Sequence, residues 1–162
     1  MVPLILLAGC GNNTAGPQEQ GSPLDVLTGL ENAYCSRNSE AFENVLQRGY
    51  FHTIPESEWD DFNGDGVIDT GWDSELQMIW IEDFFSACQE ITLSIDTGSA
   101  VIDYVTPDMA VVSFDFQMQY TGTAPDYLNR EGSWFLTVSA GDDGVWKLLE
   151  ASDLYGWVGF IP

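Results

Sequence analysis

Residues 61–69, Asp-Phe-Asn-Gly-Asp-Gly-Val-Ile-Asp, carry the most organised chemistry in the chain. Oxygen-bearing side chains hold the first, third and fifth places (Asp61, Asn63, Asp65). Glycine holds the sixth, Ile68 the eighth and a further carboxylate, Asp69, the ninth. Alternate oxygen donors and a glycine that permits a sharp bend are what a short loop needs to wrap a calcium ion. Asp83 is the second candidate. It falls inside an apolar helical stripe, one heptad after Leu76 and among Ile79, Trp80, Phe84 and Ala87. Carboxylates in such surroundings mark functional clefts more often than chance. Tyr34, on an earlier helix, is its candidate partner for proton transfer. His52 is the only histidine, which excludes two-histidine zinc patterns and disfavours a Ser-His-Asp triad. It reads as a strand residue packed beside Tyr50. No GxSxG, phosphate-cradling glycine loop or CxxC is present.

The chain has 162 residues, one domain's worth and enough to bury a core. Lys and Arg number 4 against 26 Asp and Glu, a net charge of −22. That excludes a nucleic-acid partner, which needs a basic surface, and disfavours electrostatic docking on anionic lipid. So large an excess repels itself, so salt or a bound divalent cation is expected to stabilise the fold.

Residues 1–7 are apolar and run into Leu7-Ala8-Gly9-Cys10. This resembles the lipobox of bacterial lipoproteins, in which the cysteine is diacylated and becomes the mature N-terminus. Residues 1–9 then read as a truncated lipoprotein signal peptide, lacking basic residues and too short to span a bilayer. Residues 10–22 read as a lipid-anchored flexible tether reaching about 20 Å. The resemblance implies an extracytoplasmic address in a bacterial envelope, on the outer membrane if the host has two. With Cys10 acylated, Cys35 and Cys88 remain for a disulfide, closing a loop worth about 4 kcal/mol.

The body of the chain must position these groups. Pro23–Ser36 carries Leu27, Leu30, Ala33 and Tyr34 at helical spacing, with Ser22 as N-cap and Pro23 at the first helical position. A second helix carries Phe42, Val45 and Leu46, and Tyr50–Ile54 reads as a short strand. Ser74–Cys88 reads as a third, largely buried helix, with Ser74 and Gln77 at capping-box spacing. From Gln89 the period changes to two. Ile91, Leu93 and Ile95 alternate with polar residues, and Val101–Val105 follows a turn at Gly98. The clearest strand is Val111–Tyr120, with Val112, Phe114, Phe116, Met118 and Tyr120 on one face and Ser113, Asp115, Gln117 and Gln119 on the other. Ser133–Ser139 and Val145–Glu150 read as a hairpin. Helices first and a meander afterwards imply an α+β domain with helices on one face of a sheet.

Three segments carry a family resemblance: Ala33–Phe42, Asp108–Phe114 and Asp143–Leu149. They resemble the first helix–turn–helix junction, the central strand and the final "GxWxI" strand of the NTF2-like superfamily, which includes SnoaL-like and ketosteroid-isomerase-like proteins. The resemblance implies a cone of about three N-terminal helices on a curved antiparallel sheet, spanning 23–162 with 61–73 as an insertion. The isomerase branch uses a tyrosine, an aspartate base and a protonated acid. Their places fall near Leu30, Ile54 and Trp134, so that chemistry is not supported. The fold hosts enzymes and non-enzymes, and its cone implies an apolar pocket, here lined by Tyr34, Trp80, Asp83, Phe114 and Phe116. A homodimer through the sheet face is also implied.

The insertion resembles the calcium loops of EF-hands and dockerins. That resemblance implies ligation by Asp61, Asn63, Asp65, the Val67 carbonyl and Asp69. Trp72 stands where a bidentate acid belongs, with Asp73 as its substitute and as a competing helix cap. The sequence therefore predicts a calcium-stabilised lipoprotein that binds a small apolar ligand or a protein without catalysis. The alternative is a SnoaL-like enzyme (isomerase, cyclase or hydrolase type) acting on a hydrophobic substrate through Asp83 and Tyr34. An open polar cavity at Asp83 would favour the enzyme, and a filled interior would leave only the surface for binding.

Overall fold

The computed structural model describes residues 21–54, 56, 59–62, 64–123 and 130–152. Cys10, the tether before residue 21, Asn63 and the aromatic segment 154–162 lie outside the described residues. Strict alternation over β4, Met109–Gly122, puts Ala110, Val112, Phe114, Phe116, Met118 and Tyr120 in the interior and leaves Asp115, Gln117 and Gln119 outside. Period-two side chains with one apolar set can bury only one face. Around β4 the sheet is completed by β1 (Leu46–Thr53), β2 (Gly71–Asp73), β3 (Cys88–Thr106), β5 (Arg130–Ala140) and β6 (Trp146–Ser152). The strand order is β2-β1-β6-β5-β4-β3.

Helices α1 (Pro23–Ser36), α2 (Ser39–Val45) and α3 (Ser74–Ala87) complete the α+β fold. In α1, Val26, Leu27, Leu30, Ala33 and Tyr34 form the buried stripe. Its start is fixed by Ser22, whose backbone N–H donates to the Asp25 carboxylate at 2.9 Å, and by Pro23. Arg37 ends it in the left-handed conformation, with φ 51°.

The sheet differs from the expected one in its strand pairing, in the extent of β3 and in the presence of β2. It is mixed: β1 runs parallel to β6, with Phe51, His52 and Thr53 opposite Glu150, Ala151 and Ser152, while every other pair is antiparallel. Ile91–Ile95 and Val101–Val105 belong to one strand, β3, interrupted by a register shift between Asp96 and Val101. Ser99 and Asp96 fill that bulge. The Ser99 hydroxyl donates to the Asp96 carbonyl and accepts the Asp115 N–H.

The predicted Cys35–Cys88 disulfide is not formed: Cys88 is a free, buried thiol. Cys35 faces the middle of β3 instead, its sulfur 3.4 Å from both the N–H and the carbonyl of Leu93. Five residues of strand separate Leu93 from Cys88, about 17 Å of rise, far beyond the reach of a disulfide. Burial pushes the Cys88 thiol pKa up, against a smaller opposing pull from the Arg37 guanidinium.

Candidate functional site

The acidic loop is bent by its own carboxylates. The N–H groups of Asp65 and Gly66 donate to the two oxygens of Asp61, at 3.0 and 2.8 Å. The Val67 N–H donates to Asp65 at 2.8 Å, and the Phe62 N–H to Asp69 at 3.1 Å. Gly66 makes the bend at φ 86°. The loop closes where the Asp69 N–H donates to the Asp60 carbonyl. Asp73 serves the helix: its Oδ1 accepts the N–H groups of Glu75 and Leu76, so Asp73, and not Ser74, caps α3. Among the described residues, no three carboxylate, imidazole or thiolate groups converge on a metal position. The donors present are hard oxygens, the type calcium takes.

Beyond the loop the chain enters β2, where Gly71 and Trp72 are buried against β1. Trp72 is the first of a run of contacting rings. Phe62 meets it edge-on at 5.9 Å, and Trp80 stacks on it at 5.8 Å. Phe84 stacks on Trp80 at 5.4 Å and meets Tyr120 edge-on at 5.7 Å. Tyr34 lies at the inner end, edge-on to Phe42 at 5.7 Å and to Phe85 at 5.5 Å. Phe114 and Phe116 pack on Trp134 further along the sheet. These geometries are the favourable ones for aromatic pairs. Leu30, Ile54 and Trp134 are all buried.

The structure corrects the proposed Asp83–Tyr34 pair. Asp83 is exposed, whereas Tyr34 is buried within the aromatic cluster. The cause is the phase of α3, whose buried residues are Gln77, Ile81, Phe84 and Phe85. Ile79, placed in the stripe by the sequence, is 54% exposed. Rotating the buried face by one residue turns Asp83 to solvent. Asp83→Asn is therefore expected to shift stability by less than about 0.5 kcal/mol, read as an unchanged thermal midpoint.

Gln77 is buried because it completes a polar relay that sequence reasoning missed. The Tyr50 hydroxyl donates to the Gln77 side-chain oxygen at 3.3 Å and lies 3.2 Å from His52 Nδ1. All three residues are buried, so the relay satisfies groups that would otherwise be costly to desolvate. His52 beside Tyr50 was legible from the strand alternation. Gln77 was not, since its partner lies 27 residues away.

Of the predicted pocket residues, Tyr34 and Phe114 are buried in the interior, Trp80 is half-buried against it, and Phe116 lines a cleft. That cleft, about 610 Å³, lies across β3, β4 and β5 and is lined by Ser94, Asp96, Asp115, Phe116, Gln117, Glu131, Gly132 and Ser133. A second, of about 360 Å³, lies between the α1–α2 junction and α3, lined by residues that include Arg37, Glu82 and Phe85. Neither includes Tyr34, Trp80 or Asp83 in its lining.

No family model and no curated protein sequence matches the chain. Solved structures do match. One is an NTF2-like protein from Cytophaga hutchinsonii, with a TM-score of 0.57 and 18% identity, covering 80% of this chain and 91% of that one. Another is a hexachlorocyclohexane dehydrochlorinase (LinA, type 2), with a TM-score of 0.58 and 12% identity, covering 86% and 90%. A third is a conserved protein from Planctomyces limnophilus, with a TM-score of 0.58 and 13% identity, covering 80% and 89%. At such identities the likeness concerns architecture, and the three helices on a six-stranded mixed sheet have the NTF2-like fold.

Proposed function

We propose that this chain is a binding domain of the bacterial cell envelope, lipid-anchored at Cys10 and stiffened by calcium, that holds a protein partner on its surface without catalysis. The filled interior is the observation that carries the reading. Where a cone-shaped fold would hold a substrate, aromatic rings from α1, α3 and β4 pack on one another, Tyr34 is sealed among them, and Asp83 lies outside. This packing favours a partner held on the surface over a small apolar ligand held inside.

Asp61, Asn63, Asp65 and Asp69, with the Val67 carbonyl, are the groups that would hold calcium. Asp73 contributes less, because one of its oxygens already caps α3. Lacking a bidentate acid, the site belongs in the weak range of extracellular modules. Millimolar calcium is expected to release heat in calorimetric titration and to raise the thermal midpoint, and Asp61→Asn to abolish both effects. Absence of heat and of any shift would remove calcium from the proposal. Intact mass of the membrane-extracted protein tests the anchor independently. A diacylglyceryl adduct on Cys10 supports it, and Cys10 found in a disulfide with Cys35 overturns it.

The second reading is a SnoaL-like enzyme acting on a hydrophobic substrate. The buried Tyr50–His52–Gln77 relay favours it, since a phenol and an imidazole in hydrogen-bond contact are proton-transfer groups. The presence of a dehydrochlorinase among the similar structures is in keeping with this reading. On that reading Asp83 and Tyr34 give up their roles to Tyr50 and His52.

A further inference from the structure

β3 is the outermost strand of the sheet, and its free edge is treated differently along its two halves. Over the first half, α1 supplies side chains to the edge. The Arg37 guanidinium donates to the Cys88 carbonyl at 2.6 Å. The sulfur of Cys35 meets both backbone groups of Leu93. The Glu31 carboxylate accepts the N–H of Ile95, and burial there raises its pKa against that hydrogen bond. Asp96 and Ser99 close the bulge that follows, Asp96 accepting the Gly98 N–H at 2.9 Å.

Beyond the bulge this cover stops. Residues Val101–Thr106 pair with β4 on one side, and among the described residues no strand pairs with their other side, while the Tyr104 ring lies over the sheet, edge-on to Trp146 at 6.2 Å. Val101, Tyr104 and Val105 are 54%, 60% and 62% exposed. A bare edge with exposed apolar side chains is a template for strand addition, and natural sheets blunt such edges with lysine, proline or a covering element. Val101–Thr106 contains no lysine or proline.

We propose that this uncovered edge is an interface at which a second copy of the chain adds its own β3, antiparallel across a two-fold axis near Asp103. Two arguments select a second copy. An antiparallel edge is complementary to itself, so one strand supplies both halves of an isologous contact. Charge selects the same stretch. In a chain of net charge −22, the segment from Thr97 to Thr106 carries one charged residue, Asp103, so two copies meet there with little local repulsion. The broad sheet face would instead set Asp96, Asp115 and Glu131 of each copy against the same residues of the other. The interface lies at the sheet edge, not across the face.

Sedimentation velocity of the full 162-residue chain, from micromolar to millimolar concentration, is the test. The wild type is expected to show a monomer–dimer equilibrium that tightens with salt. The double variant Val101→Lys, Val105→Lys should weaken dimerisation at least about tenfold, leaving the far-ultraviolet circular dichroism unchanged, because both positions are solvent-exposed. Asp103→Asn should tighten it severalfold by removing the like charge at the axis. Amide exchange at 101–105 should slow in the dimer and not in the lysine variant. A monomer at all concentrations overturns the proposal, as does a dimer indifferent to these substitutions. Binding of a foreign strand to a chain that stays monomeric overturns it too.

Discussion

Replacing Phe84 with alanine is expected to lower stability by about 3–5 kcal/mol. The ring is buried and contacts Tyr34, Trp80, Phe85 and Tyr120, joining α3 to α1 and to β4. None of these neighbours can refill the space without breaking another pair, since Trp80 is already stacked on Trp72 and Tyr34 meets Phe42 and Phe85 edge-on. Against a typical domain stability of about 5–15 kcal/mol, such a loss leaves a marginal fold. The thermal midpoint should fall by roughly 10–15 °C. Ile79→Ala in the same helix should change it little, because Ile79 faces solvent. The pair tests the phase of α3 directly. Equal losses at the two positions would contradict the rotation that turns Asp83 outward.

The second large effect is expected from one methyl group at Gly71. A Cβ there would overlap the His52 carbonyl oxygen and approach the Phe51 ring to 2.7 Å. The carbonyl belongs to the backbone of β1 and has no freedom to swing away, so Gly71→Ala must part β2 from β1. Overpacking of this kind typically costs about 1–3 kcal/mol. The loss should extend beyond the contact, because Trp72 and Asp73 move with the strand. Trp72 stacks on Trp80, and Asp73 caps α3. Near-ultraviolet circular dichroism should therefore lose intensity from the stacked tryptophans together with the drop in thermal midpoint. Unchanged spectra and unchanged stability would show that β2 is not held as described.

How much of this was legible in the sequence depended on whether the deciding contact was local. β4 was read correctly because alternation with a single apolar set leaves one solution. The start of α1 was legible because Ser22 and Pro23 are its immediate neighbours. The phase of α3 was not, for a physical reason. Leu76, Met78, Ile79, Trp80, Ile81, Phe84 and Phe85 surround most of the helix, so periodicity alone does not choose a face. The choice falls to Tyr50, which draws Gln77 inward, and to Asp73 and Trp72, which fix the first turn. β2 was missed because three residues at the foot of a loop carry no period. The parallel pairing of β1 with β6 was missed as well, since strands about a hundred residues apart leave no mark on each other's pattern.

The candidate site follows the same division. The order of carboxylates and glycines in residues 61–69 is local, and the observed hydrogen bonds within the loop follow from it. The relay of Tyr50, His52 and Gln77 is tertiary. So is the covering of β3 by Glu31, Cys35 and Arg37, where the i, i+4 spacing of Glu31 and Cys35 along α1 meets alternate residues of the strand.

The position of β6 has a consequence for how the molecule comes together. It lies between β1 and β5, so among the described residues it is the strand that joins the β2–β1 pair to the β5–β4–β3 block. Until Trp146–Ser152 is in place, the sheet exists as two separate pieces, and the N-terminal piece has no continuous surface on which α3 and the acidic loop can settle. Sheet closure thus depends on a contact between distant parts of the chain, the class of topology that folds slowly for its size.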